Sequence, residues 1–376
     1  MHTLIIPSYY PNSYDENYGI YFKVQANALH DNGLKIGIIS SIIIKHYMLK
    51  RSKKLDYGFR DQSDSFPTYI YQIPSFPIIK KVNDYCRLYF GKKLFKKYIK
   101  EHGIPDLIHL QSFENGILTR WIKEKYGIPF IVTEHSSGFH RNIYSSWQMK
   151  LAQRAFNESR QVYTVSNFLK NTLEKMFSVK SDVLPNMINT DEFTILNEKK
   201  VYDFIAVGNL LPAKNYELLI ESISIIKKHY PEIKLIIVGE GYLRNDIQKL
   251  IDTKNLNENI RLLGSKSQKE VIKLLNQSNI YLSSSHIETF GVSIIEAMSC
   301  GLPVISTKSG GPEDTIINEE LGQLTDHDPI SYANVINYCY ENYLSFDAQK
   351  IRNYVVDNYS TKAVVNRYKA IYKNFK

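Results

Sequence analysis

The fold is most clearly indicated by the stretch Ser283–Glu313, which reads SSSHIETFGVSIIEAMSCGLPVISTKSGGPE. A short apolar run at Ile280–Leu282 leads into it and predicts a strand, and a glycine-containing loop follows. Val292–Cys300 then has the apolar spacing of a helix, and Gly301 followed by Pro303 is typical of a helix end. The order strand, loop, helix is the unit from which parallel sheets are built.

The same alternation extends outward over both halves of the chain. Predicted strands are Thr3–Pro7, Lys35–Ser40, Asp106–Leu110, Pro129–Thr133, Gln161–Val165, Val183–Pro185, Phe204–Val207, Lys234–Val238, Ile260–Leu263, Ile280–Leu282 and Pro303–Ser306. Predicted helices are Gly19–Asn32, Asn115–Tyr126, Ser166–Phe177, Glu217–His229, Arg244–Leu250, Lys269–Asn276, Val292–Cys300 and Tyr359–Lys376. Right-handed crossovers between such strands give doubly wound sheets, which bind ligands at the carboxyl ends of their strands.

The length indicates two domains. A chain of 376 residues exceeds what a single hydrophobic core usually supports. The polar stretch Asn197–Lys200 predicts a linker near the middle. We therefore expect a Rossmann-like domain at residues 1–190 and a second one at 191–358, with the last helix, 359–376, packed back on the first. The predicted fold class is α/β, with two doubly wound parallel-sheet domains facing across a cleft.

The loop before Val292 has the features of an anion site. A helix N-terminus offers unpaired backbone N–H groups and the positive end of the helix dipole. The dipole alone contributes only about 0.3–1 kcal/mol when exposed, so a diphosphate needs a cation as well. Lys214 is the candidate, in a loop where Gly208 permits close backbone approach. A lone loop lysine is more often a solvated charge, but two such loops in one half favour a phosphate site.

Two carboxylates in the quoted stretch could bind hydroxyl groups. Glu288 lies in the loop and Glu296 lies about one turn into the helix. By spacing alone they are more simply surface residues. In the functional interpretation both accept hydrogen bonds from the hydroxyls of a bound nucleotide sugar, because carboxylates are acceptors and can act bidentately. No partner stands at metal-binding spacing, so we expect no metal site.

These motifs resemble the donor-site signature of glycosyltransferase family 4, an enzyme family with the GT-B fold. The spacing Glu, seven residues, Glu is present at Glu288–Glu296, and Gly301–Val304 follows in the family's order. Gly208–Asn215 resembles the family's phosphate loop, Val238–Gly241 its Gly-x-Gly turn, and Ser309–Glu313 the next donor-side loop. The ordered set is far more specific than a single Glu pair.

The resemblance continues outside the second half. Val183–Phe193 is similar to the segment that enters the second domain, and Pro11 with Gly19–Phe22 is similar to the family's opening glycine loop. Thr133–His135 resembles its histidine at the end of a strand. By its position alone, that histidine could also be an ordinary loop residue with its hydrogen bonds satisfied. The resemblance covers essentially the whole chain.

The resemblance implies a retaining transfer of a sugar that needs no metal and no cofactor. It gives Glu288, His135 and Lys214 the catalytic roles: Glu288 at the sugar hydroxyls, Lys214 at the diphosphate leaving group, and His135 at the reacting sugar. It assigns the ribose to Glu296, and close backbone approach to Gly19. The implied donor-binding set is Gly19, Gly208, Asn209, Lys214, Gly239, Gly241, Glu288, Thr289, Phe290, Gly291, Val292 and Glu296.

Two departures from the family pattern leave the donor open. Asn209 stands where many members carry Arg, so one cation of the usual pair is missing. Either Lys214 suffices with help from the helix N-terminus, or another base such as Lys266 or Lys308 replaces the missing cation. Met187 and Asn189 follow Pro185-Asn186 where Gly and Asp are common. A UDP-sugar is the favoured donor, and a GDP-sugar is the second possibility.

Charge indicates an anionic partner. The formal net charge is +9, concentrated at Lys45–Lys54 and Lys92–Lys100. The second cluster predicts a basic amphipathic helix, which could lie on an anionic membrane surface or pack its apolar stripe on its own domain. No pattern typical of nucleic-acid binding occurs. Asp326–Asp328 resembles a metal-binding Asp-x-Asp, but its position before Pro329 favours a surface turn.

The remaining expectations concern location and alternatives. The chain shows no signal peptide or membrane span, and its three cysteines show no disulfide spacing, so we expect a cytoplasmic protein, peripheral on the inner face of the plasma membrane. The expected acceptor is a glycan or lipid-linked glycan in bacterial surface polysaccharide synthesis. A nucleotide-sugar epimerase-like enzyme and a non-catalytic sugar-binding partner subunit are the alternatives, the latter because of Asn209.

Overall fold

The computed structural model describes residues 1–44, 56–76 and 80–375, and its contacts divide the chain into two units. The first unit is Met1–Leu184 with Val365–Lys376, and the second is Pro185–Val364. The boundary between the two units therefore lies after residue 184, where the expected boundary was residue 190. The chain rejoins the first unit at residue 365, where the last helix was expected to do so from residue 359. The basic cluster Lys45–Lys54 lies outside the described residues.

The first unit is built around a mixed sheet of eight described strands in the order β3-β4-β2-β1-β5-β6-β7-β8. The strands are β1 His2–Pro7, β2 Lys35–Ile44, β3 Gly58–Asp61, β4 Thr68–Pro74, β5 Leu107–Gln111, β6 Phe130–Glu134, β7 Val162–Thr164 and β8 Asp182–Val183. The helices are Ile20–Asp31, Lys80–His102, Gly116–Tyr126, Ser146–Glu158 and Asn167–Phe177, and Thr361–Lys373 reaches this unit from Val365 onward. All pairs are parallel except β3 with β4.

The second unit has a fully parallel sheet of six described strands in the order β11-β10-β9-β12-β13-β14. The strands are β9 Tyr202–Val207, β10 Leu235–Val238, β11 Ile260–Gly264, β12 Ser278–Ser283, β13 Val304–Thr307 and β14 Gly322–Thr325. The helices are Tyr216–Ile226, Arg244–Thr253, Gln268–Asn276, Val292–Ser299, Pro312–Thr315, Pro329–Glu341 and Ala348–Tyr359. The expected pair of doubly wound parallel-sheet units is confirmed.

Local chemistry explains where several helices begin. The Ser166 hydroxyl accepts from the Leu169 amide, which is the hydrogen bond that a serine N-cap provides. Ser267 and Glu270 form a capping box at the start of Gln268–Asn276. Asp328, which was expected to lie in a surface turn, caps Pro329–Glu341 by accepting from the Ile330 and Ser331 amides. Each cap satisfies N–H groups that the first helical turn leaves unpaired.

The basic helix at Lys92–Lys100 packs on its own unit. Leu94, Phe95 and Tyr98 are buried, so the apolar stripe of this segment belongs to the core. Of the two alternatives given above, the structure shows packing on its own domain. The intervening lysines remain on the outer side; Lys93, Lys96 and Lys100 are exposed. Among the helices of the described residues, none combines the length and apolar character needed to cross a bilayer.

Candidate active site

The candidate site of the second unit lies where the strand order reverses. β9 has β10 on one side and β12 on the other. The connection after β9 leads to β10 on one side of the sheet, and the connection after β12 leads to β13 on the other side. At such a switch point the loops following the two strands separate and leave a crevice at the carboxyl edge. The loop after β9 carries Gly208 and Lys214, and the loop after β12 carries Glu288. The topology therefore brings the predicted residues together.

Lys214 and Glu288 form an ion pair in this crevice. The Lys214 ammonium lies 2.6 Å from a Glu288 carboxylate oxygen, and the two side chains are 27% and 19% exposed. The backbone holds both residues in place. The Ser284 hydroxyl donates to the Lys214 carbonyl at 2.9 Å, and the Glu288 amide donates to the Ser309 carbonyl at 2.8 Å. Because both groups remain accessible, the pair can be rearranged by a ligand that offers its own anion and hydroxyls.

A helix N-terminus opens beside this pair. Gly291 caps Val292–Ser299 with φ +87°, and Val292 and Ser293 line the same cavity. The first amides of the helix and the Lys214 ammonium thus line one space of about 420 Å³. An N-terminal dipole combined with a lysine is the arrangement that binds a diphosphate.

The other lining residues include nearly the whole predicted set. The cavity is lined by Asn186, Val207, Gly208, Asn209, Lys214, Val238, Gly239, Ser265, Lys266, Val271, Glu288, Thr289, Phe290, Gly291, Val292, Ser293 and Glu296. Lys266 lines the cavity together with Asn209 and lies 3.5 Å from Glu270, whereas Lys308 is not among the lining residues and pairs with Asp326 at 2.8 Å. Lys266 is therefore the better placed of the two candidate replacements for the missing family arginine.

Two predicted glycines have different positions. A Cβ on Gly239 would lie 2.0 Å from the Gly208 carbonyl oxygen, so only glycine lets these two loops approach. Gly241 is not part of the cavity lining. A Cβ there would lie 2.3 Å from the Leu210 carbonyl oxygen, so this glycine serves the packing of one loop on the other. The Gly-x-Gly spacing could not distinguish these two roles.

Glu296 lies inside the helix and lines the same cavity. Burial raises the pKa of its carboxyl to about 7, because desolvation penalises the charged form. Ionisation of Glu296 therefore becomes sensitive to any group that enters the cavity and donates a hydrogen bond.

Asn186 was missed as a site residue. It is 7% exposed, its side-chain oxygen has no hydrogen-bond partner within the described part of the chain, and it lines the cavity. The Pro185-Asn186 dipeptide at the entrance to the second unit was the available signal.

In the first unit, the end of β6 presents His135. Its Nε2 lies 2.7 Å from the Gln111 amide oxygen, and its ring contacts Phe22 edge to face at 5.1 Å between centroids. The neighbouring Glu134 is buried and accepts from the amides of Phe113, His135 and Ser136. Burial, with the nearby Glu114 carboxylate second, raises the pKa of Glu134 to about 7. Gly19 caps Ile20–Asp31 with φ +70° and packs on the Tyr9 backbone.

The first unit also contains a cavity of about 570 Å³. Its lining includes the rings of Tyr9, Tyr18 and Tyr144, the amides of Asn83 and Gln148, and the charged groups of Asp84, Arg87 and Glu114. Asp84 accepts from the Trp147 indole at 2.9 Å and lies 3.5 Å from Arg87. One Glu114 carboxylate oxygen is buried and, within the described residues, has no hydrogen-bond partner. Among the described residues that line this cavity, carboxylates outnumber cations, although the chain as a whole is basic.

Comparisons with known proteins agree with this geometry. The family model of the glycosyl transferases group 1 matches residues 188–358, and the model of Glycosyltransferase Family 4 matches residues 25–192. An uncharacterized glycosyltransferase of Methanocaldococcus jannaschii is 29% identical over 287 residues, covering 74% of this chain and 78% of that protein.

Solved structures share the fold at low sequence identity. Sucrose-phosphate synthase from Thermosynechococcus elongatus superposes with a TM-score of 0.79 at 19% identity, covering 100% of this chain and 99% of that one. HepE of Anabaena, solved with UDP and glucose, gives a TM-score of 0.76 at 14% identity, with both chains covered completely. With two adjoining family matches on two units of this fold, the chain belongs to the group 1 glycosyltransferases of glycosyltransferase family 4 and has the GT-B fold.

Proposed function

We propose that this glycosyltransferase is a retaining enzyme that transfers a sugar from a nucleotide-sugar donor without a metal ion. The observation that carries the proposal is the cavity of the second unit, where Lys214, Glu288, Glu296 and the N-terminus of Val292–Ser299 converge. A cation and a helix N-terminus suit a diphosphate, and carboxylates suit hydroxyl groups.

The roles of the residues follow from this placement. The diphosphate would lie against Lys214 and the amides of Gly291 and Val292, so that negative charge developing on the leaving group meets fixed positive charge. Glu288, beside Lys214, would accept hydrogen bonds from the donor sugar, and Glu296 from the ribose. For His135, in the first unit, we propose the catalytic role that the family resemblance implies, which is contact with the reacting sugar. The charge on the leaving group is thus balanced by the protein alone.

UDP is the nucleotide we favour, with GDP second. HepE, whose fold this chain shares, was solved with UDP and glucose, which supports a uridine donor. The acceptor is proposed to occupy the cavity of the first unit. Tyrosine rings offer faces on which sugar rings pack, and the side chains of Asn83, Gln148 and Glu114 offer hydrogen-bond partners for hydroxyls. A glycan or lipid-linked glycan of a bacterial surface polysaccharide fits this chemistry.

The proposed location is the cytoplasm, peripheral on the inner face of the plasma membrane. Because Leu94, Phe95 and Tyr98 are buried, contact of the segment Lys92–Lys100 with an anionic membrane would use its exposed lysines, and the exposed rings of Tyr85 and Tyr89 lie earlier on the same helix.

A thermal-shift panel of UDP, GDP, ADP and their common sugar conjugates, all with EDTA, tests the donor site. We expect stabilisation by one nucleotide family, UDP first, because a ligand that binds only the folded state raises its stability by mass action. A shift that requires added divalent metal would contradict the metal-free proposal. No shift with any nucleotide would favour a non-catalytic sugar-binding subunit. Retention is read from the anomeric configuration of the first product by NMR, and an epimerised donor would instead indicate an epimerase.

The raised pKa of Glu296 predicts a pH-dependent donor affinity. With a folded-state pKa of about 7, the carboxyl becomes a full acceptor only as pH rises through that value. The affinity for UDP-glucose, measured by calorimetry, should therefore increase from pH 6 to pH 8 by roughly fivefold, the difference between a charged and a neutral hydrogen bond. UDP-glucose is the suitable probe because its diphosphate has no ionisation in this range.

Glu296→Gln provides the matched comparison. The amide keeps the shape and cannot ionise, so the pH dependence should flatten, and the affinity should fall more than the turnover. An unchanged pH profile in this variant would assign the effect to another group and remove Glu296 from the ribose site.

A further inference from the structure

A continuous chain of side-chain hydrogen bonds joins the last helix of the protein to His135. Tyr368, on Thr361–Lys373, accepts a short hydrogen bond from the Gln25 amide nitrogen. The Gln25 oxygen accepts from the Gln111 amide nitrogen at 3.1 Å, and the Gln111 oxygen lies 2.7 Å from His135 Nε2. Four elements of the first unit, distant in sequence, thus contribute one residue each.

The chain is shielded from water. Gln25 and Gln111 are 0% exposed and Tyr368 is 1% exposed, so no solvent competes for these hydrogen bonds. Inside a protein such bonds are stronger than in water, and a group left without its partner is correspondingly costly. The two buried amides therefore have strong reason to keep these partners, and the orientation in which they are found directs each amide nitrogen toward Tyr368.

That orientation decides which nitrogen of His135 carries a proton. Each glutamine accepts on the side of His135 and donates on the side of Tyr368. The Gln111 amide nitrogen also lies 3.5 Å from His109 Nε2, a second acceptor in this arrangement. Because the Gln111 oxygen can only accept, His135 Nε2 must donate to it. The tautomer of a histidine is set in this way by the partner of one ring nitrogen.

We propose that Tyr368 is a positioning residue for His135, acting through Gln25 and Gln111 to hold the proton on Nε2 and to fix the ring. The proposal rests on the catalytic role of His135 in the proposed function. It makes the last helix of the chain part of the catalytic apparatus, although Tyr368 touches no reacting atom.

Other titratable groups surround the histidine. Glu134 accepts from its backbone amide, and the Tyr21 ring lies 5.7 Å away between centroids. His109 is fully buried, bonds Thr133 and Tyr372 at 2.7 Å each, and is held neutral because desolvation lowers its pKa to about 3. His109 therefore supplies no charge that titrates with His135 near neutral pH.

The Tyr368→Phe variant tests the proposal. It keeps the buried ring and removes only the hydroxyl that anchors the two amides. Nitrogen-15 NMR of the His135 ring should show the Nε2–H form in the wild-type protein and a mixture of tautomers in the variant. The rate of nucleotide release from UDP-glucose should fall about three- to tenfold, as expected for one lost hydrogen bond, with the KM for UDP-glucose unchanged.

Tyr98→Phe is the matched control. It removes an equally buried hydroxyl of the same unit, but that hydroxyl bonds His2, away from His109 and the two glutamines. We expect the His135 tautomer and the rate to stay as in the wild type. Equal effects of the two variants would mean that the loss of a buried tyrosine hydroxyl acts only through the general stability of this unit, which overturns the proposal.

Gln111→Glu supplies the rescue. A carboxylate can only accept, so His135 Nε2 must donate to it whatever Gln25 does. Combined with Tyr368→Phe it should restore the Nε2–H signal and shift the pH profile toward higher pH, because the new negative charge raises the pKa of His135. A double variant that still shows mixed tautomers would contradict the proposal. The NMR measurement needs no turnover, so failure of the relay and failure of the proposed enzyme activity are distinguished.

Discussion

Lys214→Ala is expected to lower kcat/KM for the nucleotide-sugar donor by about two to three orders of magnitude, the loss typical when one preorganised electrostatic group is removed. Two effects add. The developing charge on the diphosphate loses its cation, and Glu288 is left as an unpaired carboxylate in the cavity, where it repels the phosphates. We therefore expect a weaker affinity for UDP as well as a slower transfer, measured by calorimetry and steady-state kinetics.

The fold should survive this change. The Lys214 side chain is 27% exposed and the Glu288 side chain is 19% exposed. Ion pairs that remain accessible to solvent contribute about 0–1 kcal/mol to the free energy of unfolding. Lys254→Ala is the matched control, because Lys254 forms an ion pair of the same length, 2.6 Å, with Glu221 in the same unit and has a similar exposure. Wild-type donor affinity and rate in Lys214→Ala would mean that the phosphate site lies elsewhere.

Glu288→Ala is expected to separate binding from chemistry. Removing this carboxylate frees the Lys214 ammonium for the diphosphate, so the affinity for UDP should stay the same or increase. Turnover should nevertheless fall by about two orders of magnitude, because the hydrogen bonds to the donor sugar are needed most in the transition state. Calorimetry with UDP and single-turnover kinetics with the nucleotide sugar give the two quantities.

Glu221→Ala, the other half of the reference ion pair, should leave both quantities unchanged. The double variant Lys214→Ala, Glu288→Ala completes a cycle, and we expect its UDP affinity to exceed that of Lys214→Ala, since the repelling carboxylate is gone. Weaker UDP binding in Glu288→Ala would place this residue at the nucleotide rather than at the sugar.

Local sequence was enough to find the loops of the donor cavity. Residues that follow parallel strands must gather at one edge of the sheet, so Gly208, Lys214 and Glu288 could be placed together before any coordinates were known. The interpretation was less accurate where a residue type serves two purposes. Gly241 has the motif spacing, but it packs on the Leu210 backbone outside the cavity lining, and spacing carries no information about that contact.

Elements with weak local signals were not predicted. β3 and β4 follow the basic segment in the sequence, and residues such as Arg60 and Gln72 interrupt their apolar pattern. Gln72 is nevertheless buried, and its amide donates to the Ser13 hydroxyl and the Asp56 carbonyl. The helix Ser146–Glu158 is amphipathic but rich in polar residues, and it begins at a Ser145 capping box that only the folded backbone completes. In both cases tertiary partners decide what local propensity leaves open.

By itself, the sequence determined the alternation of strands and helices, the parallel strands that form most of both sheets, and the residues of the donor motif, because hydrophobic period and glycine placement act locally. Only the tertiary structure decided the rest. It brought Asp84 and Glu114 together in the first-unit cavity, paired Lys214 with Glu288, and connected Tyr368 to His135 through two buried glutamines. These features depend on side chains brought together from distant positions, and the strength of their interactions is set by burial, which no local pattern specifies.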